Sequence, residues 1–221
     1  MFNLFSKQQN LDADGLKKLI DEVITPVVIG LGMEQKDDYL WYCSGANEIR
    51  SGLQYSLLKG DQGTLTWGLC LNYVPLISGN NLRFCRTERS FKFHLFEWTD
   101  EYSNSFSGGK MTNGVVAHSD IKGTKEALQN LVKRYTPKIQ NWLESVQNTD
   151  QIIKCAELQI NEAKHYKLHY PNAKYILPFL YAKKHMGDHA IEQFESLDLS
   201  YFNNNEEMRD KAHKHLLKLL L

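Results

Sequence analysis

Histidine is the residue type with the clearest chemical potential in this chain, which contains eight of them. His165 and His169 stand four residues apart in a segment predicted to be helical, a spacing that can direct two imidazoles at one metal ion. The helical metalloprotease signature also requires a glutamate directly after its first histidine, and Tyr166 occupies that position. We therefore favour a structural pair and predict no metal site. His94 and His118 are further candidates if the protein is an enzyme.

Nucleophiles and phosphate-binding loops give weaker signals. The chain has no G-x-S-x-G elbow, and none of its cysteines stands in the sequence context of a papain-like protease. The segment 108–112, GGKMT, lacks the G-x-x-x-x-G-K-[ST] spacing of a phosphate loop, and 30–32, GLG, is not a dinucleotide fingerprint. These absences predict no catalytic residues and no cofactor.

Charged residues cluster before and after a strand predicted at 91–96. Three arginines recur at every third position ahead of it, and acids follow it. Arginine can fork onto carboxylates, and an acidic patch can oppose a basic partner. Solvated acids and an edge strand protected by charge are the alternatives. Six residues are our candidate contacts with a partner protein: Arg83, Arg86, Arg89, Glu97, Asp100 and Glu101.

Composition narrows the class of protein. The 26 basic and 26 acidic residues cancel, so the chain lacks the basic excess of a general nucleic-acid binder. The start, MFNLFSKQQNLDADG, does not resemble a secretory signal, and no uncharged apolar run reaches the ~18 residues of a membrane span. The four cysteines are widely spaced, which suits a reduced cytoplasmic protein, although two disulfides remain an alternative.

The elements that must position these residues centre on the stretch 53–73. Large apolar residues at 65, 67, 69, 71 and 73 alternate with smaller or polar ones, so one face of a strand collects the apolar groups. The same period precedes the turn 60–63, GDQG, which predicts an antiparallel hairpin with one buried face. A first helix over 11–29, interrupted at Pro26, comes before it, and 44–52 is predicted to be a polar connection. A long apolar-striped helix opening at Thr124 and containing Pro137 is expected to cover the sheet.

After residue 148 the strand signals stop. We predict an α+β domain over 1–148, an antiparallel sheet covered by a long helix, and a C-terminal helical extension over 149–221. The extension comprises a helix from Asp150, a helical hairpin with Gly187 as stop and Asp188 as cap, and a last helix capped by Asn203. Its dense leucine terminus needs cover from the domain, a second copy or another protein, so a homodimer through the last helix is an alternative to intramolecular docking.

The order of features over 11–146 resembles a family. An initial helix, Pro26, the Leu31-Gly32-Met33 run, an aromatic strand, the hairpin and a long helix with Pro137 are similar to a bacterial family of uncharacterised α+β domains. That family includes suspected immunity proteins of toxin systems. The resemblance implies protein binding and assigns no functional residues.

The expected function is therefore a non-enzymatic, cytoplasmic protein-binding module that resembles a toxin-neutralising immunity protein. Its partner would be another protein, with a toxin as one candidate. No role is expected for nucleic acid or membrane. An enzyme with an unrecognised site of histidines and carboxylates is one alternative. A structural or adaptor subunit acting through the C-terminal helices is another.

Overall fold

A computed structural model describes residues 11–44, 48–58, 61–99, 114–118, 120–162 and 171–221. The fold is α+β, with an antiparallel sheet followed by C-terminal helices. The helices are α1 (Ala13–Val23), α2 (Thr25–Gly30), α3 (Ile121–Glu144), α4 (Thr149–Glu162), α5 (Ala173–Lys183), α6 (Gly187–Glu195) and α7 (Glu206–Leu220), with a 3-10 turn at Leu199–Phe202. The strands are β1 (Glu34–Asp37), β2 (Leu40–Tyr42), β3 (Ile49–Leu58), β4 (Gln62–Leu71), β5 (Leu76–Ser78), β6 (Asn81–Arg83), β7 (Leu95–Trp98) and β8 (Val116–Ala117).

The main sheet has the strand order β1-β2-β3-β4-β7, and the short β8 also pairs with β4. β2 pairs with β3 and β4 with β8 in antiparallel fashion, with Trp41 opposite Leu53 and Gly63 opposite Val116. β5 and β6 form a separate two-stranded hairpin. Within the described residues, no helix is both long and apolar enough to cross a membrane.

Two predicted boundaries in this region were wrong. The predicted polar connection over 44–52 ends earlier, because β3 already begins at Ile49. The predicted strand over 91–96 begins only at Leu95, and residues 91–93 have no regular structure. Both errors matter for function, since the residues concerned, Arg50 and Phe91, belong to the candidate site described below.

The prediction of one buried face on β4 was also incomplete. The apolar set is buried as expected, but Cys70, on the opposite face, is fully buried too. Gly68 explains part of the burial of this second face of β4, because a Cβ at that position would lie 2.3 Å from the carbonyl oxygen of Leu95 in β7. Only glycine permits such a close approach of two backbones.

Contacts group the described chain into two units that do not follow a single cut in the sequence. The first unit comprises the described residues of 11–44, 52–67 and 97–141, and the second those of 48–51, 68–96 and 142–221. β3, β4 and β7 each contribute residues to both units. The predicted boundary at 148/149 stays a prediction.

The first unit packs α1, α2 and most of α3 with strand residues. Asp12 caps α1 by accepting from the Gly15 N–H over 2.7 Å. The predicted interruption of the first helix is present, but it lies at Ile24, and Pro26 is the second residue of α2. α3 begins at Ile121, three residues before the predicted Thr124, because Asp120 accepts from the Gly123 N–H. The helix covers the sheet as predicted: Tyr135 lies 6.3 Å from the Trp67 ring, and both are buried.

The second unit packs α4 to α7 with the ends of β3, β4 and β7. The predicted helical hairpin is present as α5 and α6, but α6 begins at Gly187 without a side-chain cap, so Asp188 lies in its first turn. Asn148 accepts from the Gln151 N–H at the start of α4, where Asp150 was expected to cap. Asn205 caps α7, while the predicted cap Asn203 adopts a left-handed conformation with φ 56°.

Candidate functional site

The second unit contains a groove of about 500 Å³ beside the β5–β6 hairpin. Arg83, Arg89 and Lys92 line it with exposed cationic groups. Phe84, Phe91 and Phe93 line it with half-buried rings. Among the described residues that line it, none is acidic. We call this feature the basic groove; its chemistry suits an anionic ligand that also carries apolar groups.

A tight turn forms one wall of the basic groove. The hydroxyl of Ser90 accepts from the Thr87 N–H over 3.0 Å, and the Ser90 N–H donates to the Thr87 carbonyl over 3.1 Å. These two bonds close the turn 87–90 within the loop at residues 85–90. The loop is exposed at Arg86 and Arg89, so its cations face solvent from a defined backbone.

Arg50 holds this loop from inside the protein. Only 2% of its surface is exposed. Its guanidinium donates to the backbone carbonyls of Cys85 (3.1 Å), Glu88 (3.3 Å) and Ser90, and its Cζ lies 5.8 Å from the Phe91 ring. A planar guanidinium can serve several acceptors at once, which an ammonium cannot do with the same geometry. Arg50 therefore fixes the loop at 85–90, which carries the groove cation Arg89 and lies between Arg83 and Lys92.

Two cysteines lie beside Arg50. Cys70 in β4 and Cys85 after β6 are both buried free thiols, and each has the largest single influence on the pKa of the other. Nη2 of Arg50 also lies 3.7 Å from the Cys70 sulfur. The hydrogen bond with Cys85 lowers the pKa of the Cys70 thiol, against the effect of burial, and raises the pKa of Cys85. The pair therefore favours a thiolate at Cys70 and a thiol at Cys85.

His94, a candidate for catalysis, has a structural role in this unit. It is 1% exposed, and its Nδ1 accepts from the Leu71 N–H over 3.1 Å. Nδ1 is therefore unprotonated, so Nε2 carries the proton and donates to the Val74 carbonyl over 3.2 Å. Both ring nitrogens serve the backbone, which leaves neither for acid–base chemistry on a ligand.

The six predicted contacts fall in different places. Arg83 and Arg89 line the basic groove. Arg86 is exposed and stacks on Phe84, with Cζ 4.0 Å from the ring centroid. Glu97 lies in β7 within the first unit and is half-buried. Asp100 and Glu101 lie outside the described residues, as do His165, His169 and the segment 108–112.

A second concavity, of about 300 Å³, lies within the first unit. His118, Asp61 and Tyr39 line it together with apolar residues of α1 and β3. The Tyr55 hydroxyl lies 2.7 Å from Nε2 of His118. Burial raises the pKa of Tyr55 and lowers that of His118, so the neutral phenol donates to the neutral imidazole. Within the described residues, no cluster of three or more His, Cys, Asp or Glu side chains could hold a metal ion.

Sequence reasoning missed Arg50 and the dithiol. Extending the period of two in β3 upstream by a few residues would have placed Arg50 in a strand. Its partners could not have been found that way, since they are backbone carbonyls 35 to 40 residues later in the chain. Phe91 and Phe93 were recognised as apolar but were assigned to a strand.

Comparison of the chain with protein-family models, with curated proteins and with solved structures finds no match in any of the three. The groove must therefore be interpreted from its own geometry.

Proposed function

We propose that this protein is a non-enzymatic protein-binding module whose basic groove takes an acidic, aromatic-containing segment of a partner protein. The observation that carries the proposal is the combination of Arg83, Arg89 and Lys92 around three phenylalanine rings, beside a loop at 85–90 that Arg50 fixes. Aromatic and arginine side chains are enriched at protein interfaces, and a few such residues dominate the binding energy. A pre-fixed loop also reduces the entropy lost on binding.

Charge complementarity selects the partner. The chain as a whole is neutral, so a local group of three cations acts on a nearby acidic surface without a general attraction to polyanions. Opposite charge accelerates encounter, and the half-buried rings then provide the apolar contact that holds the complex. The layout resemblance to suspected immunity proteins supports a toxin as this partner and the bacterial cytoplasm as the place where it is met. Neutralisation would follow if the bound segment belongs to the toxin's active surface.

The experiment compares the wild type with a groove variant, Arg83→Gln/Arg89→Gln/Lys92→Gln. A control variant, Lys122→Gln/Lys133→Gln/Arg134→Gln, removes the same charge from exposed positions of α3. The probe is a short synthetic peptide of alternating glutamate and tyrosine, read by fluorescence anisotropy, with a lysine–tyrosine peptide as its charge-reversed counterpart. Binding of the acidic peptide is expected to weaken about tenfold or more, ~1.4 kcal/mol, in the groove variant alone.

Cross-linking in the native cell extends the test to the natural partner. The supporting result is one protein that cross-links through an acidic segment to the basic groove, is lost in the groove variant and is retained in the control. A groove variant that captures the same proteins as the wild type would overturn the proposal. So would capture of nucleic acid in place of protein.

An enzyme is the second candidate, and the His118–Tyr55 pair favours it. A neutral imidazole on the wall of a pocket can act as a general base once a ligand displaces the Tyr55 hydroxyl from its Nε2. A small molecule that stabilises the wild type in a thermal-shift screen, but not the His118→Gln variant, would favour this candidate over the first.

A further inference from the structure

The buried dithiol beneath the basic groove has the arrangement of a modification site. Cys70 belongs to a strand and Cys85 to the loop that follows β6, fifteen positions later. Each thiol has the largest single influence on the pKa of the other. One nitrogen of Arg50 contacts both residues, at 3.7 Å from the Cys70 sulfur and 3.1 Å from the Cys85 carbonyl oxygen.

The charge at this position favours a reactive sulfur. A thiolate, and not a thiol, is the nucleophile in cysteine oxidation. Burial alone would suppress the thiolate of Cys70, but the hydrogen bond from Cys85 lowers the pKa of Cys70. The adjacent guanidinium supplies a positive charge in the same interior. Buried cysteines in purely apolar surroundings lack both features and are inert.

Access is through the groove wall. Cys85 lines the basic groove, and 4% of its surface is exposed. Cys70, behind it, has no exposed surface. Only a small oxidant can therefore approach the pair without unfolding the loop at 85–90, and a bulky one is excluded.

We propose that Cys70 and Cys85 are a redox-active pair that a small hydroperoxide, such as hydrogen peroxide, converts to a reversible intramolecular disulfide. The Cys70 thiolate attacks one peroxide oxygen, so a sulfur–oxygen bond forms, the oxygen–oxygen bond breaks, and the leaving oxygen takes the Cys85 proton. The Cys85 thiolate then attacks the Cys70 sulfenic acid and displaces hydroxide, which leaves as water after taking up the proton that Cys70 had lost. Two electrons pass from the two sulfurs to the peroxide, and a dithiol reductant reverses the change.

The disulfide has a consequence for the loop, and this consequence rests on the proposed function. Joining Cys85 to Cys70 alters the position of the carbonyl that Arg50 holds, and with it the backbone that carries Arg89. The affinity for the glutamate–tyrosine peptide should therefore differ between the oxidised and the reduced protein.

The experiment uses the full chain, reduced and then treated with hydrogen peroxide under native conditions. Remaining thiols are alkylated after denaturation, and the peptides are mapped by mass spectrometry. The expected product is a peptide pair linking Cys70 to Cys85, lighter by two hydrogen atoms, that dithiothreitol converts back to two thiols. A Cys43→Ser/Cys155→Ser variant should form it at the wild-type rate. A Cys70→Ser variant should not, and Cys85 should remain a thiol.

Two results would overturn the proposal. One is that Cys70 and Cys85 remain thiols at peroxide concentrations that oxidise Cys43 or Cys155. The other is that the first disulfide formed involves Cys43 or Cys155. The disulfide is detected by mass in the wild-type protein. Its absence would therefore overturn the redox proposal whether or not the glutamate–tyrosine peptide binds.

Discussion

Arg50 in β3 donates from Nη2 to the carbonyl oxygen of Cys85 over 3.1 Å, although 35 residues separate the two in the chain. This bond ties a central strand to the loop at 85–90, which carries the groove cation Arg89. It also brings a guanidinium to a buried thiol pair. The loop's conformation therefore depends on a residue that no ligand in the groove needs to touch.

Replacing this anchor should release the loop. In Arg50→Met, the carbonyls of Cys85, Glu88 and Ser90 lose a charged donor, and a buried polar group left unpaired costs ~1–3 kcal/mol. We expect a fall of ~3 kcal/mol in the free energy of unfolding, together with faster hydrogen exchange of the 85–90 amides. Urea unfolding and exchange mass spectrometry measure the two effects.

Arg50→Lys is the conservative comparison for this prediction. Lysine keeps the charge but cannot donate in three directions with one planar group. Arg50→Lys should lose less stability than Arg50→Met, while hydrogen exchange of the loop amides should still become faster. Unchanged exchange at 85–90 in both variants would show that Arg50 does not fix the loop.

Sequence patterns predicted those parts of the fold that depend on local periodicity. The alternation around Trp67 predicted a strand with its apolar side buried, and the stripe containing Tyr135 predicted the helix that covers it; the two rings lie 6.3 Å apart. Pro26 predicted an interruption of the first helix, which lies two residues earlier, at Ile24. Each of these features depends on residues that lie within a few positions of one another in the sequence.

The errors arise where distant backbone decides the outcome. Cys70 was expected opposite the buried face, but Arg50 and Cys85 cover it, and neither contact leaves a trace in the period of the strand. Cap positions moved for a similar reason: Asn203 and Asn205 are equally good caps by type, and the left-handed turn at Asn203 selects Asn205. The arginines of the candidate site could be named from sequence, whereas the groove that assembles two of them could not.

Gly68 should tolerate no side chain. A Cβ there would lie 2.3 Å from the Leu95 carbonyl oxygen and 2.6 Å from the Phe96 Cβ, so β4 and β7 must separate. Gly68→Ala is expected to cost ~1–3 kcal/mol, as overpacking does. Gly30→Ala, where a Cβ meets nothing within 4 Å, should be neutral or stabilising by ~0.5 kcal/mol. Equal urea midpoints for the two variants would contradict the close approach of the strands.

His118 should make the protein less stable in acid. Burial holds its folded-state pKa below the unfolded value of about 6.5, so between these two values the unfolded chain binds more protons. The stability contribution is complete above about pH 6.5 and is lost as the pH falls through that window. His118→Gln keeps an acceptor for the Tyr55 hydroxyl and removes the titration.

The measurement for this prediction is urea unfolding at about pH 7.5 and about pH 5.5. The difference in stability between the two conditions should be smaller in His118→Gln than in the wild type. His189→Gln, at an exposed position, is the control and should keep the wild-type difference. If both variants lose stability in acid as the wild type does, His118 is not the group responsible.

Two leucines at the end of α7 distinguish packing of this helix within its own chain from association with a second copy. Leu216 is fully buried, whereas Leu217 is 41% exposed. Leu216→Ala should therefore cost ~2–5 kcal/mol through the cavity it leaves in the second unit, and Leu217→Ala less than ~0.5 kcal/mol. Both variants should scatter light as the wild type does if the helix serves only its own chain. A wild-type dimer that Leu217→Ala dissociates would instead assign the exposed side of α7 to a second copy.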